Sequence, residues 1–258
     1  MPEDPRTSSE QTVERAAALL AAARRLVVTT GAGMSKESGI PTFRDAPSAL
    51  WANYDPETLA TRAGFRRDPA LVWRWYAERR AMIARARPHA GHEALARLEP
   101  WYEDFLLLTQ NIDGLHLAAG SRRVIELHGN IFRYKCFDRD HPAPAPEAGC
   151  DVPPRCRCGS YLRPDIVWFG EPLDAADLDR AFGALALCDA LLVVGTSGIV
   201  YPAAGFPEVA RAAGARVIEV NPDPTSISKL ADVVVRAGAR DALPEIVGRV
   251  ERAREGHR

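Results

Sequence analysis

A chain of 258 residues, 47% of them apolar, is long enough for one large hydrophobic core and a smaller satellite, hiding roughly 70–75% of its extended surface. A formal net charge of −1 gives no general attraction to nucleic acid or anionic lipid, so direct nucleic-acid binding is not expected. The apolar runs fall far short of the ~20 residues a membrane span needs, and Met1-Pro2-Glu3-Asp4-Pro5 has neither a basic nor an apolar signal region, so the expectation is a cytoplasmic monomer with no membrane partner.

The first predicted element is a helix over residues 9–24, with Ser8 and Gln11 as its capping box and Val13, Ala17, Leu20 and Ala21 on one face. A strand at 26–29 runs straight into Gly31-Ala32-Gly33, followed by Ser35, Ser38, Pro41, Thr42, Phe43 and Arg44. Bare backbone N–H groups in a Gly-x-Gly turn approach a phosphate closely, and the hydroxyls and the guanidinium suit a pyrophosphate. Further strands are expected at 105–109, 124–126, 191–194, 217–220 and 233–235, with helices at 69–85, 92–98, 175–187, 203–213 and 241–253. Apolar strands alternating with amphipathic helices predict an α/β fold, a doubly wound, parallel, Rossmann-like sheet covered on both faces.

Two stretches break that rhythm, and they divide the chain. Residues 1–41, 89–130 and 167–258 form the expected Rossmann-like domain. Residues 42–88, rich in Trp and Arg, are a helical insertion, and residues 131–166 are a cysteine-bearing, zinc-ribbon-like module. The two insertions are expected to pack together as a smaller lobe, leaving a ligand crevice at the carboxyl ends of the strands. Three more loops follow predicted strands there: Gly195-Thr196-Ser197, Asn221-Pro222-Asp223 and Gly238-Ala239. With the Gly-x-Gly turn they make four loops aimed at one dinucleotide. The Gly-x-Gly-x-x-Gly spacing of ordinary dehydrogenases is missing.

Taken in order, Gly31 to Arg44, Thr109-Gln110-Asn111-Ile112-Asp113, Glu126-Leu127-His128-Gly129, Val167-Trp168-Phe169-Gly170-Glu171, Gly195-Thr196-Ser197 and Asn221 resemble the sirtuins, the NAD-dependent protein lysine deacylases. The resemblance implies that Gln110, Asn111, Ile112 and Asp113 form the nicotinamide and ribose pocket, that Phe43 shields the reacting ribose carbon and that Arg44 meets a phosphate. It implies that NAD is consumed: the acyl oxygen of a modified lysine displaces nicotinamide, and His128 helps deprotonate the ribose hydroxyl that captures the acyl group. Asn111 and His128 are then the catalytic pair, and acyl-lysine proteins or peptides the partners. An imidazole with an ordinary pKa near 6.5 is suited to take that proton. Val167, Trp168, Phe169, Gly170 and Glu171 on one side, and Val200 and Tyr201 on the other, resemble the segments that clasp an extended peptide.

Tyr76 and Arg79, three apart on a predicted helix, resemble with Ala60 and Thr42 the sirtuin subgroup that removes succinyl and malonyl groups, acetyl remaining a further substrate. Arg79 would pair with the distal carboxylate, Tyr76 would donate its hydroxyl, and small Ala60 would leave room. Two other readings share the pocket: an ADP-ribosyltransferase and a non-catalytic NAD-sensing module. Structural zinc favours paired Cys-x-x-Cys knuckles, as in sirtuins, but here Arg139 stands where the partner of Cys136 would be, and the second pair is compressed to Cys156-Arg157-Cys158. Cys136, Cys150, Cys156 and Cys158 are the expected zinc ligands, with His141 as the alternative fourth.

Overall fold

The computed structural model describes residues 5–41, 59–147, 149–150 and 152–256. Helix α1 (Pro5–Ala22) leads into β1 (Arg25–Thr30), and α2 (Ala32–Lys36) follows at once. Already helical from Pro5, α1 takes the expected Ser8–Gln11 capping box inside the helix. Helices α3 (Arg62–Arg67), α4 (Pro69–Ile83) and α5 (Ala90–Leu98) come next, then β2 (Asp104–Thr109), α6 (Leu115–Ala118) and β3 (Val124–Glu126). Asp68 caps α4 by accepting from the Leu71 N–H at 2.9 Å, with Pro69 in the first turn. The α5 cap is a histidine, His89, whose ring accepts from the Gly91 N–H; no ordinary cap residue marks that start, so the helix begins two residues before its predicted position.

The cysteine-bearing stretch is more regular than its composition suggests. Strands β4 (Gly129–Cys136), β5 (Pro142–Ala143) and β6 (Leu162–Ile166) form an antiparallel sheet of order β5-β4-β6. In β4 polar Asn130 is buried and apolar Phe132 is exposed beside Arg133, so the strand lacks the continuous apolar run that marks a parallel strand. The chain closes with α7 (Ala175–Leu185), β7 (Ala190–Val194), α8 (Phe206–Ala212), β8 (Arg216–Val220), β9 (Val233–Val235) and α9 (Ala239–Glu255). The helix predicted over 203–213 divides into a 3-10 turn, Ala203–Gly205, and α8, with Pro207 in the first turn of the latter.

All neighbours in the large sheet are parallel, in the order β3-β2-β1-β7-β8-β9. Alternation along β1 explains the double cover: Leu26 and Val28 face a core shared with α1, α5 and α9, while Val27 faces the core under α7 and α8. A third apolar cluster joins Phe65, Val72, Trp75 and Tyr76 of α3 and α4 to Ile131 and Phe137 beside β4 and to Trp168. The helices α3 and α4 and the second sheet therefore share one core. The chain runs outward from β1 to β2 and β3, then returns to β7 on the other flank, so the order reverses between β1 and β7. Ligands of such sheets bind at that reversal, beyond the carboxyl ends of the strands.

Candidate active site

At the reversal, the loops after β1 and β7 lie backbone against backbone. The Gly31 N–H donates to the Val194 carbonyl at 3.1 Å and the Gly33 N–H to the Gly195 carbonyl at 2.8 Å. A Cβ on Gly33 would come within 2.8 Å of Gly195, and one on Gly195, whose φ is +59°, within 2.3 Å of the Met34 nitrogen. Only glycine at both positions permits this approach. Ala32 is exposed at the start of α2, Pro41 is half-buried, and Thr42, Phe43 and Arg44 lie outside the described residues.

The loop after β2 supplies a buried polar web. The Asn111 Nδ2–H₂ donates to the Gly31 carbonyl at 3.0 Å and to the Ser35 Oγ at 3.1 Å, and the Ser35 hydroxyl donates to Asp113 Oδ2 at 2.7 Å. Asp113 Oδ1 accepts from the Leu115 N–H at 2.8 Å. Burial raises the Asp113 carboxyl above its ordinary range, opposed by these two donors. Gln110 Nε2 donates to Thr196 Oγ1 at 3.1 Å, and Asn221 Nδ2 to the Thr196 carbonyl at 2.9 Å, so the loops after β2, β7 and β8 are tied together. Ile112 and Ser197 are half-buried, whereas Pro222 and Asp223 are exposed. The Ala239 methyl is buried in the core, so that residue offers the crevice only backbone.

His128 follows β3, and its Nδ1 lies 2.9 Å from the Gln110 carbonyl. A carbonyl only accepts, so Nδ1 carries the proton and Nε2 keeps a lone pair. Burial is the largest influence on this ring and lowers its pKa below the ordinary value, against the hydrogen bond to Gln110 that favours the charged form. An unperturbed imidazole is the expectation from sequence; desolvation instead keeps His128 neutral over a wider acid range.

The Val167 N–H donates to the His128 carbonyl at 3.0 Å, and the Phe169 N–H to the Ala60 carbonyl at 2.9 Å. Val167 through Gly170 thus bridge the base and the helical insertion. Trp168 is buried and its ring stacks on Tyr76 at 6.2 Å, in the cluster that also holds Ala60. The Arg79 guanidinium lies 5.0 Å from the Trp75 ring centroid. Phe169, Val200 and Tyr201 are exposed, Tyr201 by 72%. Glu171 is an internal anchor: Oε1 accepts from Arg163 Nη1 at 2.7 Å and Arg62 Nη1 at 3.1 Å, Oε2 from Arg163 Nη2 at 2.6 Å and the Trp168 N–H at 2.9 Å.

In the second sheet, the ligand atoms of Cys136, His141, Cys156 and Cys158 all lie within 4.8 Å of one another. Cys136 and Cys158 sulfurs are 3.5 Å apart, and Cys156 Sγ is 3.7 Å from His141 Nε2. Tetrahedral zinc with Zn–S bonds of about 2.3 Å requires edges of about 3.8 Å, so the four groups fit that ion. Cys150 is exposed and outside the group, which corrects the expected ligand set in favour of the histidine alternative. The β4–β5 turn is the reason: the Cys136 N–H donates to the His141 carbonyl and the Asp140 N–H to the Cys136 carbonyl, folding His141 back over Cys136.

Residues 31–202, two thirds of the chain, match the family model described as "Sir2 family". The chain belongs to the Sir2 family. The NAD-dependent protein deacylase 2 of Pyrobaculum aerophilum is 52% identical over 237 residues, 92% of this chain and 95% of that protein. A mutant Sir2 homologue in complex with 2′-O-acetyl ADP ribose superposes with a TM-score of 0.85 at 42% identity, covering 93% of this chain and 97% of the other. Sir2Af2 bound to a myristoylated histone peptide gives a TM-score of 0.76 at 36% identity, over 96% and 99%. The present Sir2 chain is an NAD-dependent protein deacylase with NAD as its co-substrate, and its Cys/His cluster is consistent with structural zinc. Among the described residues no helix is long and apolar enough to cross a membrane.

Several residues of the Sir2 site escaped the sequence reading. Glu37 accepts from the Arg240 N–H at 2.9 Å and so caps α9 from across the crevice. Arg163, wholly buried, anchors Glu171. An acidic residue directly after a short helix and an arginine in the mixed strand Leu162–Ile166 carry no local pattern that would expose them.

Proposed function

We propose that this Sir2 deacylase favours acidic acyl groups, succinyl and malonyl, on protein lysines, accepting acetyl as a further substrate. The carrying observation is the position of Tyr76: its ring stacks on Trp168, and the neighbouring Val167 is hydrogen-bonded to the backbone of His128. Tyr76 therefore packs on the residue that follows the one bonded to the His128 backbone, and Arg79 lies three positions further along the same helix. Desolvation is the largest influence on Arg79 and lowers its pKa, with Tyr76 opposing. A guanidinium short of water gains from a carboxylate that arrives with the substrate.

NAD supplies the sugar carbon that receives the acyl oxygen and the nicotinamide that leaves. Asn111, Ser35 and Asp113 hold the pocket in which that exchange takes place. His128 accepts a ribose hydroxyl proton at Nε2 while the Gln110 carbonyl holds Nδ1–H. Gly31, Gly33, Gly195, Thr196, Ser197 and Asn221 carry the rest of the dinucleotide. An acylated peptide, the kind of ligand carried by the related Sir2Af2, lies between the exposed Phe169 and the Val200–Tyr201 loop. Water is excluded by Trp168 and its aromatic neighbours.

Nicotinamide release from NAD is measured with succinyl-, acetyl- and unmodified lysine peptides. Arg79→Met is expected to lower kcat/KM for the succinyl peptide by about 10–150-fold, the equivalent of one charge-assisted hydrogen bond, with far less effect on the acetyl peptide. Equal losses on both would remove the selectivity. Release with unmodified peptide would point to ADP-ribosyl transfer instead.

A further inference from the structure

Three imidazoles stand in a row behind the polar web. His89, His92 and His116 are 8%, 0% and 2% exposed, with ring centroids 4.3 Å and 5.0 Å apart. Burial holds His92 and His116 neutral. Their tautomers follow from their partners. His89 Nδ1 accepts from the Gly91 N–H at 3.0 Å, so its proton is on Nε2, 2.7 Å from the Met34 carbonyl. His92 Nδ1 accepts from the His89 N–H at 3.3 Å, so it too carries Nε2–H.

His92 Nε2 and His116 Nδ1 are both buried without a hydrogen-bond partner. If His116 bore its proton on Nδ1, two neighbouring buried donors would go unpaired, an arrangement buried polar groups avoid. With the proton on Nε2, His116 presents a lone pair at Nδ1 to match the donor on His92 through one bridging water. His116 Nε2–H then donates to Thr30 Oγ1 at 2.9 Å, and the Thr30 hydroxyl donates to Thr109 Oγ1 at 2.9 Å. Thr109 Oγ1 in turn accepts the Asn111 backbone N–H at 3.1 Å.

We propose that His116 is a positioning residue for the deacylation, fixing the Asn111 backbone through the paired hydroxyls of Thr30 and Thr109, with His92 and His89 holding its tautomer. The inference rests on the reading of Asn111 as part of the NAD pocket. Asn111 sends its side chain to Gly31 and Ser35, so a displaced backbone at 111 moves both cofactor loops together. Misplacement of about 1 Å costs on the order of 100-fold in rate.

The test compares His116→Phe, which keeps a ring and loses the donor, with His116→Gln, whose amide N–H reaches the same hydroxyl. NAD and acyl peptide are titrated separately on the full chain. His116→Phe is expected to lower kcat/KM for NAD roughly 10–100-fold while KM for the peptide stays within about twofold, and His116→Gln to recover most of the loss. Thr109→Val, if the Phe variant does not fold, should reproduce the defect and Thr109→Ser should not. A folded His116→Phe enzyme with unchanged NAD kinetics, or a Gln variant as impaired as Phe, overturns the relay while Asn111→Ala remains impaired. Wild-type NAD kinetics in Asn111→Ala overturn the pocket reading itself and the relay with it. Imidazole 15N shifts give an independent readout: Nε2–H on all three rings is expected, and Nδ1–H on His116 overturns the assignment.

Discussion

Replacing Glu171 removes the counter-charge of a guanidinium that has no access to water. The Arg163 side chain is 0% exposed, its guanidinium carbon lies 3.8 Å from the Trp168 ring centroid, and both of its Nη atoms reach Glu171. The carboxylate also receives Arg62 and the Trp168 N–H, so one side chain ties β6, the Trp168 turn and α3 together. Burial alone would raise the Glu171 carboxyl, but Arg163 and the Trp168 N–H hold it below the ordinary value. Breaking a buried pair from one side costs about 3–5 kcal/mol because the remaining charge is orphaned. In a chain of this length each kcal/mol lowers Tm by about 2–4 °C, so Glu171→Gln should lose roughly 6–20 °C. The double variant Arg163→Met/Glu171→Gln, freed of the orphaned charge, should recover much of that loss. Thermal unfolding by circular dichroism reads both. A Glu171→Gln shift below about 2 °C, or a double variant worse than the single by the full cost of Arg163, would refute the buried-pair reasoning.

Three other outcomes follow from the site. His128→Ala should abolish turnover, and the acid limb of the wild-type pH profile should lie below the ordinary imidazole value near 6.5, because desolvation lowers this pKa; a limb above 6.5 contradicts the buried neutral base. Metal analysis should find one zinc per chain in Cys150→Ser and little in His141→Ala, and the reverse would restore the all-cysteine set. Acid should unfold the protein early. His92 and His116 have native pKa values of about 2 and about 3 against about 6.5 when unfolded, so the unfolded chain alone takes up protons as pH falls through 6. The two together should lower stability by about 2–3 kcal/mol per pH unit between roughly pH 6 and 4, a loss measured by urea unfolding at each pH; no slope there would show that the rings are already charged.

The parallel sheet was legible because its strands are continuous apolar runs and its loops carry glycine, asparagine and hydroxyls in a fixed order. Strands 124–126 and 233–235 have the expected bounds, β2, β7 and β8 begin one residue early, and β1 is one residue longer at each end. Local chemistry was enough for these. It was not enough for the β4–β6 sheet, whose strands carry polar residues such as Asn130 and Arg163 at buried positions and so do not look apolar, nor for α5, capped by a histidine.

The sequence by itself settled the fold class, the NAD chemistry and the family motifs, because each is written in contiguous residues whose spacing is set by one strand or one loop. Which four groups gather around the zinc position, which ring nitrogens of His128 and the three buried histidines donate, and which donors Glu171 accepts from were decided only by tertiary structure. His141 displaces Cys150 because a hairpin turns it back on Cys136, and Glu171 serves Arg163 because β6 and the Trp168 turn bring two charges eight positions apart out of water together. Desolvation and hydrogen-bond partnership are properties of the surroundings, and the surroundings come from residues tens of positions away.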